Sequence, residues 1–379
     1  MKAENRTITR QLHELGQRLW VDNITRDMLD DGTLARYIDD FSITGLTSNP
    51  TIFDRAIGSG DAYDESIQAR IARGESGENL FFNLAIEDLR RAADLFRPIF
   101  DATGGVDGWV SLEVSPLLAH DTLKTNQAAA RLHAMAERPN LFIKIPGTPE
   151  GLPAIEESIF AGIPINVTLL FSREQYLAAA EAYLRGIERR IEAGLDPVVD
   201  SVASLFISRW DVAIQEEVAP QYHNRLGIAI AMRCYQAYRD LLNGVRWQKL
   251  ATAGAHPQRL LWASTGTKDP KVADTLYVDA LAAPDTINTM PDKTLLAFAD
   301  HGQIGKQIPA DGGYAEAVLD EFRREGVDDE ALALRLQHEG ADAFAHSWHA
   351  LLTRLTEKTT AMAPPGAHAG NYRRDSAAP

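Results

Sequence analysis

The sequence predicts an α/β protein, a single (β/α)8 TIM barrel with extra N- and C-terminal helices, on three observations. Eight short apolar or β-branched runs recur between longer helical patterns. The runs are mostly apolar on both faces, as strands of a parallel sheet covered by helices are. The chain has 379 residues, 45% hydrophobic and 24% charged, which is ordinary globular usage and enough for one barrel with insertions. That length would also hold two or three domains, but the regular alternation of eight runs with helices favours one. A core of this size needs no disulfide or metal support.

In chain order, the first strand is Leu19 to Asp22, closed by a carboxylate. The second, Ile43 to Thr47, runs into Ser48 and Asn49 and is stopped by Pro50. The third, Trp109 to Val114, is interrupted by Glu113, and the fourth, Leu141 to Ile145, by Lys144. Asn166 and Thr168 break the apolar run of the fifth, Ile163 to Leu169. The sixth, Val202 to Phe206, contains Ser204 and leads to Arg209. The seventh, Leu260 to Ser264, leads to Thr267 and Lys268, and the eighth is Thr286 to Thr289.

Between the fifth and sixth strands, Ser172 to Gly194 shows why the helices are credible. Ser172 and Gln175 have capping-box spacing, Tyr176, Ala180, Tyr183, Leu184, Ile187 and Ile191 form one stripe, and Gly194 is a C-terminal stop. Glu316 to Leu355 reads as a helical stretch with Trp348, Leu351, Leu352 and Leu355 as its packing face. It extends the 1–362 catalytic unit beyond the eighth strand. Residues 363–379, with Pro364, Pro365, Gly366 and Gly370, read as a disordered tail.

With 38 basic and 53 acidic side chains, the formal charge is −15. This argues against nucleic acid or an anionic membrane as the main partner. The one cysteine, Cys234, rules out an intrachain disulfide framework and fits a reducing compartment. Met1 to Trp20 lacks the apolar core of a signal peptide, and no stretch approaches the roughly 20 apolar residues of a membrane span. A cytoplasmic protein is expected, so the sequons at Asn5, Asn23 and Asn166 carry no glycosylation meaning.

Reactive groups of such barrels collect at the C-terminal ends of the strands, which turns each polar interruption into a candidate. Lys144 is the sharpest. An ammonium group in apolar surroundings is costly unless paired, and burial favours the free amine that attacks carbonyls. The alternative is a lysine that pairs with a carboxylate or reaches the barrel mouth. Glu113 and Asp22 together make a general acid/base case; singly, Asp22 beside Asn23 and Thr25 equally suits a helix cap, and Glu113 the neutralising of a lysine. Asn49, Asn166 and Thr168 suit either substrate hydroxyls or loop backbone. Ser204, Arg209, Ser264, Thr267 and Lys268 suit phosphate binding, or else a turn with a solvated lysine.

The sequence has no Walker loop, dinucleotide fingerprint or His-Glu-x-x-His helix. His346 and His349 share a helix spacing without ligand partners nearby, and Cys234 beside Tyr235 reads as a small buried group.

Taken together, the segments resemble transaldolase, in its longer bacterial branch, from about Trp20 to Leu355. The motifs are Gly45-Leu-Thr-Ser-Asn-Pro-Thr-Ile-Phe53, Leu141-Phe-Ile-Lys-Ile-Pro-Gly147, Ile165-Asn-Val-Thr-Leu-Leu-Phe-Ser172, Ala203-Ser-Leu-Phe-Ile-Ser-Arg209 and Leu261-Trp-Ala-Ser-Thr-Gly266. Each alone is weak; all in order on successive strands are specific.

The resemblance implies transfer of a dihydroxyacetone unit from sedoheptulose 7-phosphate or fructose 6-phosphate to an aldose phosphate, without cofactor or metal, in the non-oxidative pentose phosphate pathway. By carry-over, Lys144 forms the Schiff base, Asp22 takes the C4 hydroxyl proton, and Glu113 works through a water. Asn49 and Asn166 hold the three-carbon fragment, Thr47, Thr168 and Ser204 complete the lining, and Arg209 and Ser264 bind phosphate. The family's second basic residue follows that serine closely; here Gly266 and Thr267 intervene before Lys268, the candidate. The rivals are an aldolase of the same superfamily, which is much shorter and usually lacks the glutamate seen at Glu113, and an inactive sugar-phosphate binder. Fusion or association with phosphoglucose isomerase is a weaker expectation attached to the tail.

Overall fold

A computed structural model describes residues 7–362; the expectations for the tail and for Asn5 lie outside them. Eight parallel strands close into a barrel in sequence order: β1 Arg18–Val21, β2 Ile43–Leu46, β3 Trp109–Glu113, β4 Leu141–Pro146, β5 Ile165–Leu170, β6 Ser201–Phe206, β7 Arg259–Ala263 and β8 Thr286–Met290. β8 pairs with β1 through Arg18 opposite Ile287, which closes the ring. All eight sequence-predicted runs are strands, with ends within two residues. Among the described residues no helix is long and apolar enough to cross a membrane.

Strand interiors are buried throughout, as a sheet covered on both sides requires. The register puts Glu113 opposite Lys144 and Lys144 opposite Asn166, so three polar side chains form one row across β3, β4 and β5. At the opposite end of the barrel, buried Asp107 accepts from Arg18 Nε at 2.6 Å and Arg259 Nη1 at 2.9 Å, stapling the starts of β1 and β7.

The helix Arg173–Glu192 has the expected capping box, with Ser172 Oγ accepting from Gln175 N and the Gln175 side chain accepting from Ser172 N. Tyr176, Ala180, Tyr183, Leu184 and Ile187 are buried, and Ile191 is half-buried.

The stretch expected to be helical, Glu316 to Leu355, is built of two helices, Ala315–Arg324 and Asp329–Met362. Gly326 at φ 90° ends the first in the left-handed region that glycine adopts freely. Asp328 then caps the second, its Oδ1 accepting from Glu330 N and Ala331 N. Arg233 links the two, bonding Glu316 and Asp329. Trp348 and Leu351 are buried on the second helix, with Trp348 edge-on to Phe81 at 5.0 Å. This C-terminal helix packs on the helices Pro50–Gly58 and Gly77–Ala102 and across the end of β5.

The short helix Ser208–Ile214, which carries Arg209, is held from within by Asp211. Its carboxylate accepts from Leu226 N (2.9 Å), Gly227 N (3.3 Å) and Tyr277 Oη (2.8 Å). Burial outweighs these donors and pushes Asp211 up to about 6. Because the folded pKa lies above the unfolded one, its contribution to stability is complete near pH 4 and is lost as pH rises through about 6, a span on the order of 3 kcal/mol. Asp211→Asn is expected to flatten that part of the Tm–pH curve; thermal unfolding of both proteins between pH 4 and 7 checks it, and parallel curves would contradict the assignment.

Candidate active site

A cavity of about 300 Å³ opens at the C-terminal ends of the strands. Nine of the twelve residues nominated from the sequence line it: Asp22, Thr47, Asn49, Lys144, Thr168, Ser204, Arg209, Ser264 and Lys268. Two more, Glu113 and Asn166, are buried against lining residues: Glu113 on Lys144, and Asn166 on Ser204. The twelfth, Thr267, is outside the lining and donates its hydroxyl to Ala273 O at 3.0 Å.

Lys144, 5% exposed, points from β4 with Nζ 3.3 Å from both Glu113 Oε2 and Ser48 O. It is thus both paired with a carboxylate and open to the cavity, as the alternative reading of this lysine expects, and that placement also leaves its amine within reach of a ligand. Burial raises the Glu113 pKa against the opposing pull of Lys144. Glu113 Oε1 and Thr168 Oγ1 are buried and bond to no described residue. Asn166 donates to Ser111 Oγ at 3.2 Å and accepts from Ser204 Oγ at 2.7 Å, so its amide is fixed in orientation.

Asp22 follows β1, its N–H bonded to Met290 O at 2.8 Å and its Oδ1 accepting from Thr47 Oγ1 at 2.6 Å. It is not the cap of the next helix: Thr25 performs that task, accepting from Met28 N. Asn49, by contrast, does both jobs. Its Oδ1 caps Pro50–Gly58 by accepting from Ile52 N at 3.1 Å, while the residue lines the cavity.

The segments after β6 and β7 supply further cationic lining, Arg209 and Lys268. The Arg209 guanidinium stands 4.9 Å from the Phe206 ring centroid and 5.8 Å from that of Phe344, and burial lowers its pKa. Ser264 occupies the left-handed region at φ 56° and bonds Ser208 Oγ at 2.9 Å. For a residue with a side chain this backbone conformation costs about 1–3 kcal/mol. Lys268 has its pKa lowered by partial burial and then by Lys293 and Arg209.

Sequence reasoning missed Arg55 and Phe344. Arg55 lies on the helix that Asn49 caps, four residues after Thr51 and three after Ile52, both of which also line the cavity. That spacing was the available signal. Phe344 comes from the C-terminal helix, with its ring 5.8 Å from Lys144 Nζ as well as from Arg209. A buried aromatic on an amphipathic helix gives no sequence signal that separates cavity wall from core. Among the described residues, Arg55, Arg209 and Lys268 form no ion pair. The charged lining is thus four cations and the Asp22 carboxylate, a local reversal of the acidic whole.

A (β/α)8 barrel with a buried lysine at its mouth, beside a carboxylate and a cationic pocket, has the layout of enzymes that attack the carbonyls of anionic substrates through an amine. The chain belongs to the transaldolase/fructose-6-phosphate aldolase family, whose model matches residues 19–355. It is 45% identical to a transaldolase of Thermobifida fusca over 360 residues, 93% of this chain and 98% of that one. It is also 45% identical to a transaldolase of Thiobacillus denitrificans, covering 92% and 99% of the two chains. A transaldolase 2 of Streptomyces coelicolor is 42% identical, over 94% of this chain and 98% of its own.

Proposed function

We propose that the protein is a transaldolase. It transfers a dihydroxyacetone unit from sedoheptulose 7-phosphate or fructose 6-phosphate to glyceraldehyde 3-phosphate or erythrose 4-phosphate, in the non-oxidative pentose phosphate pathway. The observation that carries this reading is Lys144: a buried amine, within reach of Glu113, opening into a cavity whose other charges suit a phosphate.

Lys144 Nζ attacks the donor C2 carbonyl, and loss of water leaves a protonated imine. The C4 hydroxyl gives its proton to Asp22 as the C3–C4 bond breaks. The bonding electrons pass to the iminium, giving an enamine, and the shortened aldose departs. The enamine carbon then attacks the acceptor aldehyde, whose oxygen takes the proton back from Asp22, and hydrolysis frees the product and Lys144. Glu113, with one unpartnered oxygen, relays protons through water in forming and hydrolysing the imine. Asn49, Asn166, Thr47, Thr168 and Ser204 hold the three-carbon unit, and Arg209, Ser264 and Lys268 the phosphate. The weaker expectation of an isomerase partner attaches to residues outside the described ones, and nothing in the site calls for it.

Borohydride reduction in the presence of fructose 6-phosphate, followed by peptide mapping, tests this. A reduced adduct on Lys144, with product formed only when acceptor is supplied, is expected. Steady release of free dihydroxyacetone would indicate the aldolase activity instead, and no adduct with donor bound would indicate a binding protein. Arg209→Ala is expected to raise the KM for ketose phosphate about 10- to 100-fold, the loss of a charge-assisted contact. Arg55→Ala is expected to cost only a few-fold, more at low salt than at high, because the residue is exposed. Steady-state kinetics at two ionic strengths checks both.

A further inference from the structure

The end of β5 is irregular where the chemistry needs accuracy. Val167 pairs with Ala203 but Leu170 with Leu205, so β5 carries one extra residue against β6. Leu169 sits in that bulge at φ 58°, a conformation a leucine keeps only when its surroundings enforce it. The residue before it is Thr168, fully buried, lining the cavity with its hydroxyl unpartnered. Bulges re-aim side chains, so what holds Leu169 also sets where Thr168 points.

The holding group lies on the C-terminal helix. Gln337 Nε2 donates to Leu169 O and to Gly147 O, at 3.0 Å each. Gly147 N in turn donates to Thr168 O at 2.8 Å. One buried amide therefore ties the end of β4, three residues past Lys144, to the bulge of β5. A turn later, Gly340 allows the helix to come in close: a Cβ there would lie 3.0 Å from Leu169 Cδ2 and 3.1 Å from Arg209 Nη1. Phe344, a further turn along, reaches the cavity itself. Positions 337, 340 and 344 share one helix face, and that face lies against the reacting end of the barrel.

We propose that Gln337 is a positioning residue for the transfer reaction: its amide clamps the strained Leu169 turn so that the Thr168 hydroxyl faces the substrate carried by Lys144. This rests on the function proposed above. A glutamine suits the task because its uncharged NH2 offers two hydrogens to two carbonyl oxygens, whereas a carboxylate there would meet both oxygens without a donor.

The test compares wild type, Gln337→Met, Thr168→Val and the double variant, at a temperature well below every Tm. It measures kcat, KM and the yield of borohydride-trapped Lys144 adduct. Gln337→Met is expected to lower kcat about tenfold with the KM for ketose phosphate within about threefold. The double variant is expected to be no slower than Thr168→Val alone, because Gln337 acts through Thr168. Leu169→Gly, which takes the left-handed turn without strain, is expected to restore part of kcat in the Gln337→Met background.

A lowered Tm with unchanged kcat would show an anchor for the helix and overturn the proposal, as would losses that multiply in the double variant. If Gln337→Met does not fold, Gln337→Glu keeps the side chain's shape without its donors, and wild-type kcat from it overturns the proposal equally. A wild-type protein that forms no Lys144 adduct overturns the function itself; a wild-type adduct with unaffected Gln337 variants overturns this inference alone.

Discussion

Lys144→Ala is expected to lose transfer by at least about 10⁴-fold while keeping the barrel folded. The other lysine lining the cavity, Lys268, does not replace it. Partial burial and its cationic neighbours lower its pKa, but it lies on the exposed loop after β7, and among the described residues it forms no ion pair of the kind that joins Lys144 to Glu113. Peptide mapping of the reduced wild-type protein should therefore find the adduct on Lys144 and none on Lys268. The stability of the variant follows from Glu113. Burial already raises its pKa, with Lys144 as the main opposing influence. Without that cation the folded pKa rises further, so the stability Glu113 contributes at low pH is lost as pH climbs through it. The Tm deficit of Lys144→Ala against wild type is expected to grow as pH rises from the acid side. A uniform deficit would mean that Glu113 is not the group left exposed to the change.

The barrel was legible because a parallel sheet buried on both faces writes itself as apolar runs, and each polar residue inside such a run was marked by the contrast. Lys144, Glu113, Asn166 and Thr168 were found that way. The strand ends were less legible because they depend on partners far off in sequence. β1 and β7 each begin one residue early, at Arg18 and Arg259, since both guanidiniums meet Asp107 across the base of the barrel. β5 begins two residues late, at Ile165, past Pro164, which has no N–H for the ladder. The break after Arg324 was visible as Gly326, but a periodic pattern on both sides concealed it. Arg55, Phe344 and Gln337 share a different obscurity. Each sits on a helix whose pattern reads as ordinary amphipathic packing, and only the docking of that helix on the barrel mouth turns the side chain toward the site.

The division of labour between the two carboxylates carries the second large prediction. Asp22→Asn is expected to form the Lys144 adduct at close to the wild-type rate and yet transfer about 10²- to 10⁴-fold more slowly. Glu113→Gln is expected to do the reverse, slowing adduct formation and hydrolysis while the carbon–carbon step stays fast once the imine exists. The reasons are positional. Asp22 is half-buried at the end of β1, with one oxygen accepting from Thr47, whose hydroxyl also meets Thr289, so it is held by a hydrogen-bonded polar wall, whereas the lysine pairs with Glu113. Glu113 touches the nucleophile itself, and its raised pKa brings it nearer to neutrality, where a carboxyl group can both give and take a proton. Rapid borohydride quenching of a single turnover separates adduct formation from product release for each variant. Slow adduct formation in Asp22→Asn, or normal adduct formation in Glu113→Gln, would exchange their roles. The pH profile gives an independent reading, since the ionisation that governs imine formation should vanish in Glu113→Gln and persist in Asp22→Asn.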